Sequence, residues 1–209
     1  MSRNRETYHH GQLREALITA ADEILHEGGI EGFSLRKAAA RAGVSPGAPA
    51  HHFKSVNGLL TAVAVVTFDA LAERMRAVPR DLSLAAQVRE LASVYVSYSM
   101  EYPGRLQIAY RRAMVDRDDP EFMRASAEAF GQFFTSAARY HGVPVPTRET
   151  ASQLHPQLLL DYATLQGMAL TAIEGNWRFI VSHDDPQGDF LRRILPMLVE
   201  ARWPDKPAD

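Results

Sequence analysis

The sequence predicts an all-α protein, with an N-terminal three-helix domain over residues 1–55 and a larger helical domain over residues 56–209. Three observations carry this expectation. Apolar residues recur at steps of three and four in nearly every segment. Glycines and prolines cluster between the periodic stretches, where helices end and begin. No stretch shows the apolar–polar alternation of a strand, and no internal repeat is found.

The elements follow in order. Leu13, Leu17, Ala21, Ile24 and Leu25 draw one apolar stripe, and Gly28-Gly29 stops that helix. Ser34 is a good N-cap for a second helix through Leu35, Ala38 and Ala39 to Ala42, closed by Gly43. Ser45 is expected to cap a third element from Pro46 to Phe53, with Pro46 at the first helical position. A longer helix is expected from Val56 to Ala77, and another from Asp81 to Glu101, broken by Pro103-Gly104. Further helices are expected from Arg105 to Val115, Pro120 to Tyr140, Thr150 to Ser182, and Pro186 to Arg202. Pro196 should kink or shorten the last of these, because proline lacks the amide donor and crowds the preceding turn.

Composition narrows the function classes. The chain has 209 residues, 46% of them apolar, and a net charge of −2, so any nucleic-acid surface must come from local charge segregation. Cysteine is absent, which removes disulfides, thiolate metal sites and thiol nucleophiles, and fits a reducing compartment. No leader-like segment opens the sequence, and no stretch approaches the roughly 18 uninterrupted apolar residues of a membrane span. The nearest stretch, Leu158 to Ile173, is interrupted by Asp161 and Gln166. The pairs His9-His10 and His51-His52 are adjacent rather than one helical turn apart, so no metal site is expected. Nucleophile-elbow, phosphate-loop and dinucleotide signatures are missing too. A cytoplasmic protein without enzymatic chemistry or cofactor is the expectation.

Charge is segregated in one place. From Gly32 to Phe68 there is no Asp or Glu, although the chain has 25 acidic residues, while Arg36, Lys37, Arg41 and Lys54 all fall in that window. A phosphate-facing surface requires such a clearance of carboxylates. The same window holds a short alanine-rich helix, a glycine turn (Gly43-Val44) and a second short helix, in the order of a helix-turn-helix.

The segments Tyr8-His9-His10-Gly11-Gln12-Leu13-Arg14-Glu15-Ala16-Leu17, Gly32-Phe33-Ser34-Leu35-Arg36, Ala42-Gly43-Val44-Ser45-Pro46-Gly47-Ala48-Pro49 and His51-His52-Phe53 resemble the DNA-binding domain of TetR-family regulators. The resemblance implies that Ser34 and Arg36 contact the DNA backbone or an adjacent base. It implies that Ser45, Pro46, Gly47, Ala48 and His51 face the groove, with His52 and Lys54 near phosphate. Two positions depart from the family pattern. Ala50 stands where a tyrosine is usual, and Val56 where a lysine is common. Both changes remove phosphate contacts rather than base readers, which lowers affinity and salt dependence. A flexible N-terminal arm carrying Arg3 and Arg5 is a further candidate reader.

The C-terminal body is expected to dimerise and to take up a ligand. Leu158, Leu159, Leu165, Met168, Ala169, Ala172, Ile173 and Ile180 make the penultimate helix apolar on more than one face, and Leu191, Ile194, Leu195 and Leu198 stripe the last. Two such helices from each protomer would build a two-fold homodimer, whose symmetry matches a palindromic double-stranded operator. By resemblance, a cavity between the fifth and eighth helices is lined by Tyr95, Tyr98, Met114, Phe130, Phe134, Tyr162 and Gln166. That lining suits a small apolar or aromatic effector. A repressor released by such a ligand is the leading reading. The alternative is a ligand-binding protein of the same fold with weak or lost DNA binding.

Overall fold

A computed structural model describes residues 3–147, 149–150 and 153–206, with side chains from Gln12 onward. Every regular element among the described residues is helical. They are α1 (Arg3–Gly28), a 3₁₀ turn (Ile30–Gly32), α2 (Leu35–Arg41), α3 (Ala48–Phe53), α4 (Val56–Arg76), α5 (Leu84–Glu101) and α6 (Pro103–Tyr110). Then come α7 (Pro120–His141), α8 (Pro156–Ile173), α9 (Pro186–Asp189), a π-helical turn (Phe190–Ile194) and α10 (Leu195–Arg202). Arg3 and Arg5 of the expected arm fall within the α1 backbone; their side chains lie outside the described residues, as do Met1 and Ser2 entirely.

The chain forms two compact units, residues 1–69 with 102–126, and residues 70–101 with 127–209. The sequence reading divides the chain after Ser55 instead. The difference lies in α6, which packs on α1 within the first unit. A Cβ on Gly104 would stand 2.4 Å from the Leu25 carbonyl oxygen, so only glycine lets the two backbones approach. Arg105 grips Asp22 with two guanidinium hydrogen bonds and lies 3.9 Å over the Tyr102 ring. Phe68 is wedged edge-on between Tyr110 and Phe122 in the same unit.

The second unit is built on α5 against α8 and α10. Its core holds Tyr95, Tyr98, Phe133, Leu158, Leu165 and Trp203, all fully buried. Buried Asp161, which interrupts the apolar run in the sequence, accepts from Trp203 Nε1 at 2.9 Å and meets His141 Nε2 at 2.8 Å. Arg202 adds an ion-pair contact at 2.6 Å without hydrogen-bond alignment. A buried carboxylate needs such partners to offset the loss of water.

Several boundaries move from the sequence reading. Ser83, not Asp81, caps α5: its hydroxyl accepts from the Ala86 amide at 3.2 Å. α5 ends at Glu101, Tyr102 takes the N-cap position of the next helix, and Pro103 opens α6 rather than only breaking the chain, because its absent donor is not needed in a first turn. The expected helix from Thr150 to Ser182 is shorter at both ends. His155 caps its start, and Gly175 takes φ 68° just past its end. Within 186–202 the π-helical turn precedes Pro196, which sits in the first turn of α10, where a missing amide costs little.

Among the described helices, α4 is long and apolar enough to cross a membrane by length and composition. Its apolar side chains serve protein packing instead: Leu59, Leu60, Val63, Leu71 and Met75 are all buried.

Candidate nucleic-acid interface and ligand residues

Local chemistry sets the geometry of α2 and α3. Ser34 is extended (φ −156°, ψ 152°) and its hydroxyl accepts from the Lys37 amide at 3.2 Å, the expected cap. Ala38 and Ala39 are buried, small enough to bring α2 onto α1. At its C-terminus, Gly43 has φ 69°, its amide donates to Ala40, and the Val44 amide donates to Ala39. That pair of bonds is the Schellman arrangement, which satisfies the last carbonyls and reverses the chain within two residues.

The third helix departs from the expected start. It begins at Ala48 rather than Pro46, because Ser45 to Ala48 first form a turn closed by the Ala48 amide on the Ser45 carbonyl at 3.0 Å. Gly47 takes the cap position without a side-chain bond, and Pro49 occupies the first turn. Ala48 is consequently buried at 9% exposure with Pro49 and Phe53, so it supports α3 from below rather than facing a groove. Gly47, Ala50, His51 and Lys54 are exposed at steps of three, one and three, one face of a short helix. Ser45 and Pro46 are exposed beside them, while Ser34 and His52 are half-buried.

Lys54 is the one non-glycine with positive φ among the described residues, at 61°. It stops α3 and points the chain into α4, where the Ser55 hydroxyl accepts from the Gly58 amide at 3.0 Å. A Cβ on Gly58 would stand 2.1 Å from the Phe53 carbonyl oxygen, so α4 can start this close to α3 only with glycine there. Sequence reasoning named Lys54 only as a charge near phosphate and passed over Gly58. A glycine two residues into a helix, just after a lysine at a helix end, was the available signal.

The cations of the acid-free window are not equivalent. Arg41 is held by Glu27 at 2.6 Å, with Glu23 at 3.9 Å, and the hydrogen bond from Arg41 keeps the Glu27 carboxyl below the usual carboxylate range. Lys37 donates to the Gly32 carbonyl at 2.8 Å. Arg36 and Lys54 are exposed and have no carboxylate partner among the described residues.

Of the expected ligand residues, the second unit brings five together. Tyr95 donates to Gln166 Oε1 at 2.9 Å, and its ring lies 5.8 Å from Phe130. Tyr162 meets Phe130 edge-on at 5.6 Å and stacks on Phe134 at 5.9 Å. These separations are those of rings packed on one another. Tyr98 lies beneath Arg74, whose guanidinium is 4.8 Å over its ring. Met114 belongs to the first unit, in the turn after α6.

Comparison with known proteins agrees with this geometry. Residues 17–63 match the profile of bacterial regulatory proteins of the tetR family. No curated protein matches the chain. Among solved structures, a Rhodococcus sp. RHA1 protein of unknown function is 24% identical with a TM-score of 0.69, over 94% of this chain and 96% of that one. A transcriptional regulator from the same organism is 24% identical with a TM-score of 0.62, over 90% and 94%. RolR in complex with resorcinol is 16% identical with a TM-score of 0.57, over 97% and 98%. These likenesses are likenesses of fold. Residues 17–63 are thus similar to the tetR family of bacterial regulatory proteins, and the all-α fold of the described chain is similar to that of the solved structures.

Proposed function

We propose that the chain is a cytoplasmic repressor that binds a palindromic operator as a homodimer and leaves it when a small apolar or aromatic ligand binds the second unit. The observation that carries the DNA half is the exposed face of α3. Gly47, His51 and Lys54, with Ser45 and Pro46 before them and Arg36 on α2, stand on a turn that fixes both helices. Ser34 and His52 complete the contact set at its edges. Arg36 and His51 are the long donors for base edges or phosphate, and Lys54 neutralises phosphate. Arg36→Ala and His51→Ala should each weaken a gel shift on DNA upstream of the protein's own gene, with unchanged helical circular dichroism. Unaltered binding by both variants would sink the assignment.

The dimer half rests on α8 and α10. Leu158, Leu165, Met168 and Ala169 face inward, while Leu159, Leu160 and Leu170 on α8 and Met197 on α10 are each more than half exposed. A helix apolar on both sides seeks a second partner, and a two-fold pairing of α8 and α10 gives it one. Of the striped residues in the last helix, Ile194 and Leu195 are buried, so Met197 marks its outer face.

The ligand half is supported by the resorcinol complex of RolR, a protein of this fold. A second reading, a ligand-binding protein with weak DNA binding, is favoured by the exposed Ala50 and Val56, which supply no phosphate donor. Loss of all DNA binding at low salt, with ligand binding kept, selects that reading.

A further inference from the structure

We propose that the second unit holds a binding site for a single-ring aromatic carboxylate, in a cavity between the C-terminal end of α4, α5 and α7. The cavity, open to solvent on one side, offers about 240 Å³, and none of the seven residues expected to bind ligand lines it. An apolar cavity of about 150 Å³ admits benzene, so this one has room for one ring with a carboxylate and little more.

Its chemistry is divided by position. Met75, Val78 and Leu91 are buried and supply an apolar wall. Arg80, before α5, and Arg139, in the last turn of α7, bring two exposed guanidinium groups, and no Asp or Glu lines the cavity. Neither arginine has an ion-pair partner among the described residues, unlike Arg74, Arg76 and Arg89 of the same unit. A cation at the end of α7 suits the helix dipole by itself, but that does not explain a second one on the same cavity. Two unpaired guanidinium groups over an apolar wall match a carboxylate carried on an apolar ring.

Two further features leave the space open. Gly131 lies in the interior of α7, where glycine is less favourable than alanine by roughly 0.5–1 kcal/mol, yet a Cβ there would meet nothing within 4 Å. The space beside it is therefore unfilled, and it belongs to the cavity that Gly131 lines. Thr61, Thr67, Thr164 and Thr171 each donate to the carbonyl four residues back, whereas Thr135 does not, and its hydroxyl is left for the cavity. Gln87 is fixed by the Ser136 hydroxyl, which donates to its Oε1 at 3.0 Å.

The test is calorimetric titration of the full chain, without DNA, so its result is independent of operator binding. Benzoate is the probe, benzamide its neutral isostere, and inorganic phosphate the bare anion. Benzoate should bind at least about tenfold more tightly than either. Gly131→Leu should abolish benzoate binding without lowering the melting temperature, while Gly131→Ala retains it. Arg80→Gln with Arg139→Gln should bring benzoate down to the level of benzamide. Equal binding of benzoate and benzamide, equal binding of phosphate, benzoate binding that survives Gly131→Leu, or no benzoate heat up to millimolar concentration would each overturn the proposal.

Discussion

Replacing Lys54 by glycine should raise stability and lower DNA affinity at once. Lys54 holds φ 61°, a conformation that costs a side-chain-bearing residue about 1–2 kcal/mol. Glycine removes that strain but loosens the unfolded chain by roughly 0.5–1 kcal/mol, leaving a gain of about 0.5–1 kcal/mol. For a chain of this size that raises the melting temperature by about 1–4 °C. The same change deletes an exposed cation with no carboxylate partner among the described residues. If each protomer loses one phosphate contact, the slope of log affinity against log salt falls by about 1.8 for a dimer. Over a roughly fourfold rise in salt, the variant then loses about tenfold less affinity than the parent. Thermal melts and fluorescence anisotropy on labelled operator at several salt concentrations read both effects. A lowered melting temperature, or an unchanged salt slope, would refute the reasoning.

Four other outcomes follow from the same geometry. Gly58→Ala places a Cβ 2.1 Å from the Phe53 carbonyl, so it should cost about 1–3 kcal/mol in a melt and abolish the gel shift. Asp161→Ala strips the buried partner from Trp203, His141 and Arg202, and should cost about 3–5 kcal/mol in chemical denaturation, far more than a surface Asp→Ala change such as Asp184→Ala. Leu160→Glu charges the exposed face of α8 and should convert dimer to monomer in sedimentation velocity, with helicity unchanged. Glu27, Asp185 and Asp189 are held below the usual carboxylate range by their arginine hydrogen bonds, so their stabilisation is present above that range and is lost as pH falls through their lowered values. Glu27→Gln should accordingly flatten the acid limb of a stability–pH profile.

The N-terminal end was largely legible because its rules are local. Ser34, Gly43 and Gly28-Gly29 act within one or two turns of their own positions, so residue type alone announces them. The start of α3 was not legible in the same way. Pro46 and Pro49 are both compatible with a first helical turn, and the turn at Ser45–Ala48 decides in favour of the second. At the end of α8, the apolar spacing continues to Ile180 while Gly175 has already reversed the backbone. Periodicity records which residues are apolar, not where the hydrogen-bond ladder stops.

The ligand residues show the same limit at longer range. Tyr95 and Tyr98 are three residues apart on α5, yet Gln166 takes the hydroxyl of one and Arg74 covers the ring of the other. Asp161 entered the sequence reading only as an interruption of an apolar run, and Gln166 both as an interruption and as a candidate ligand residue. In the fold both are partnered polar groups, one anchoring Trp203 and the other Tyr95. Which distant side chain meets which is a property of packing, and helical spacing carries no record of it.

The most direct test of the regulatory reading is selection of double-stranded DNA from a random pool by the full-length chain, repeated with the Arg36→Ala variant. Enrichment of a palindrome by the parent chain, lost or relaxed in the variant, is the result this account predicts. Absence of any enriched sequence at low salt, or enrichment of the same sequence by both chains, would contradict it.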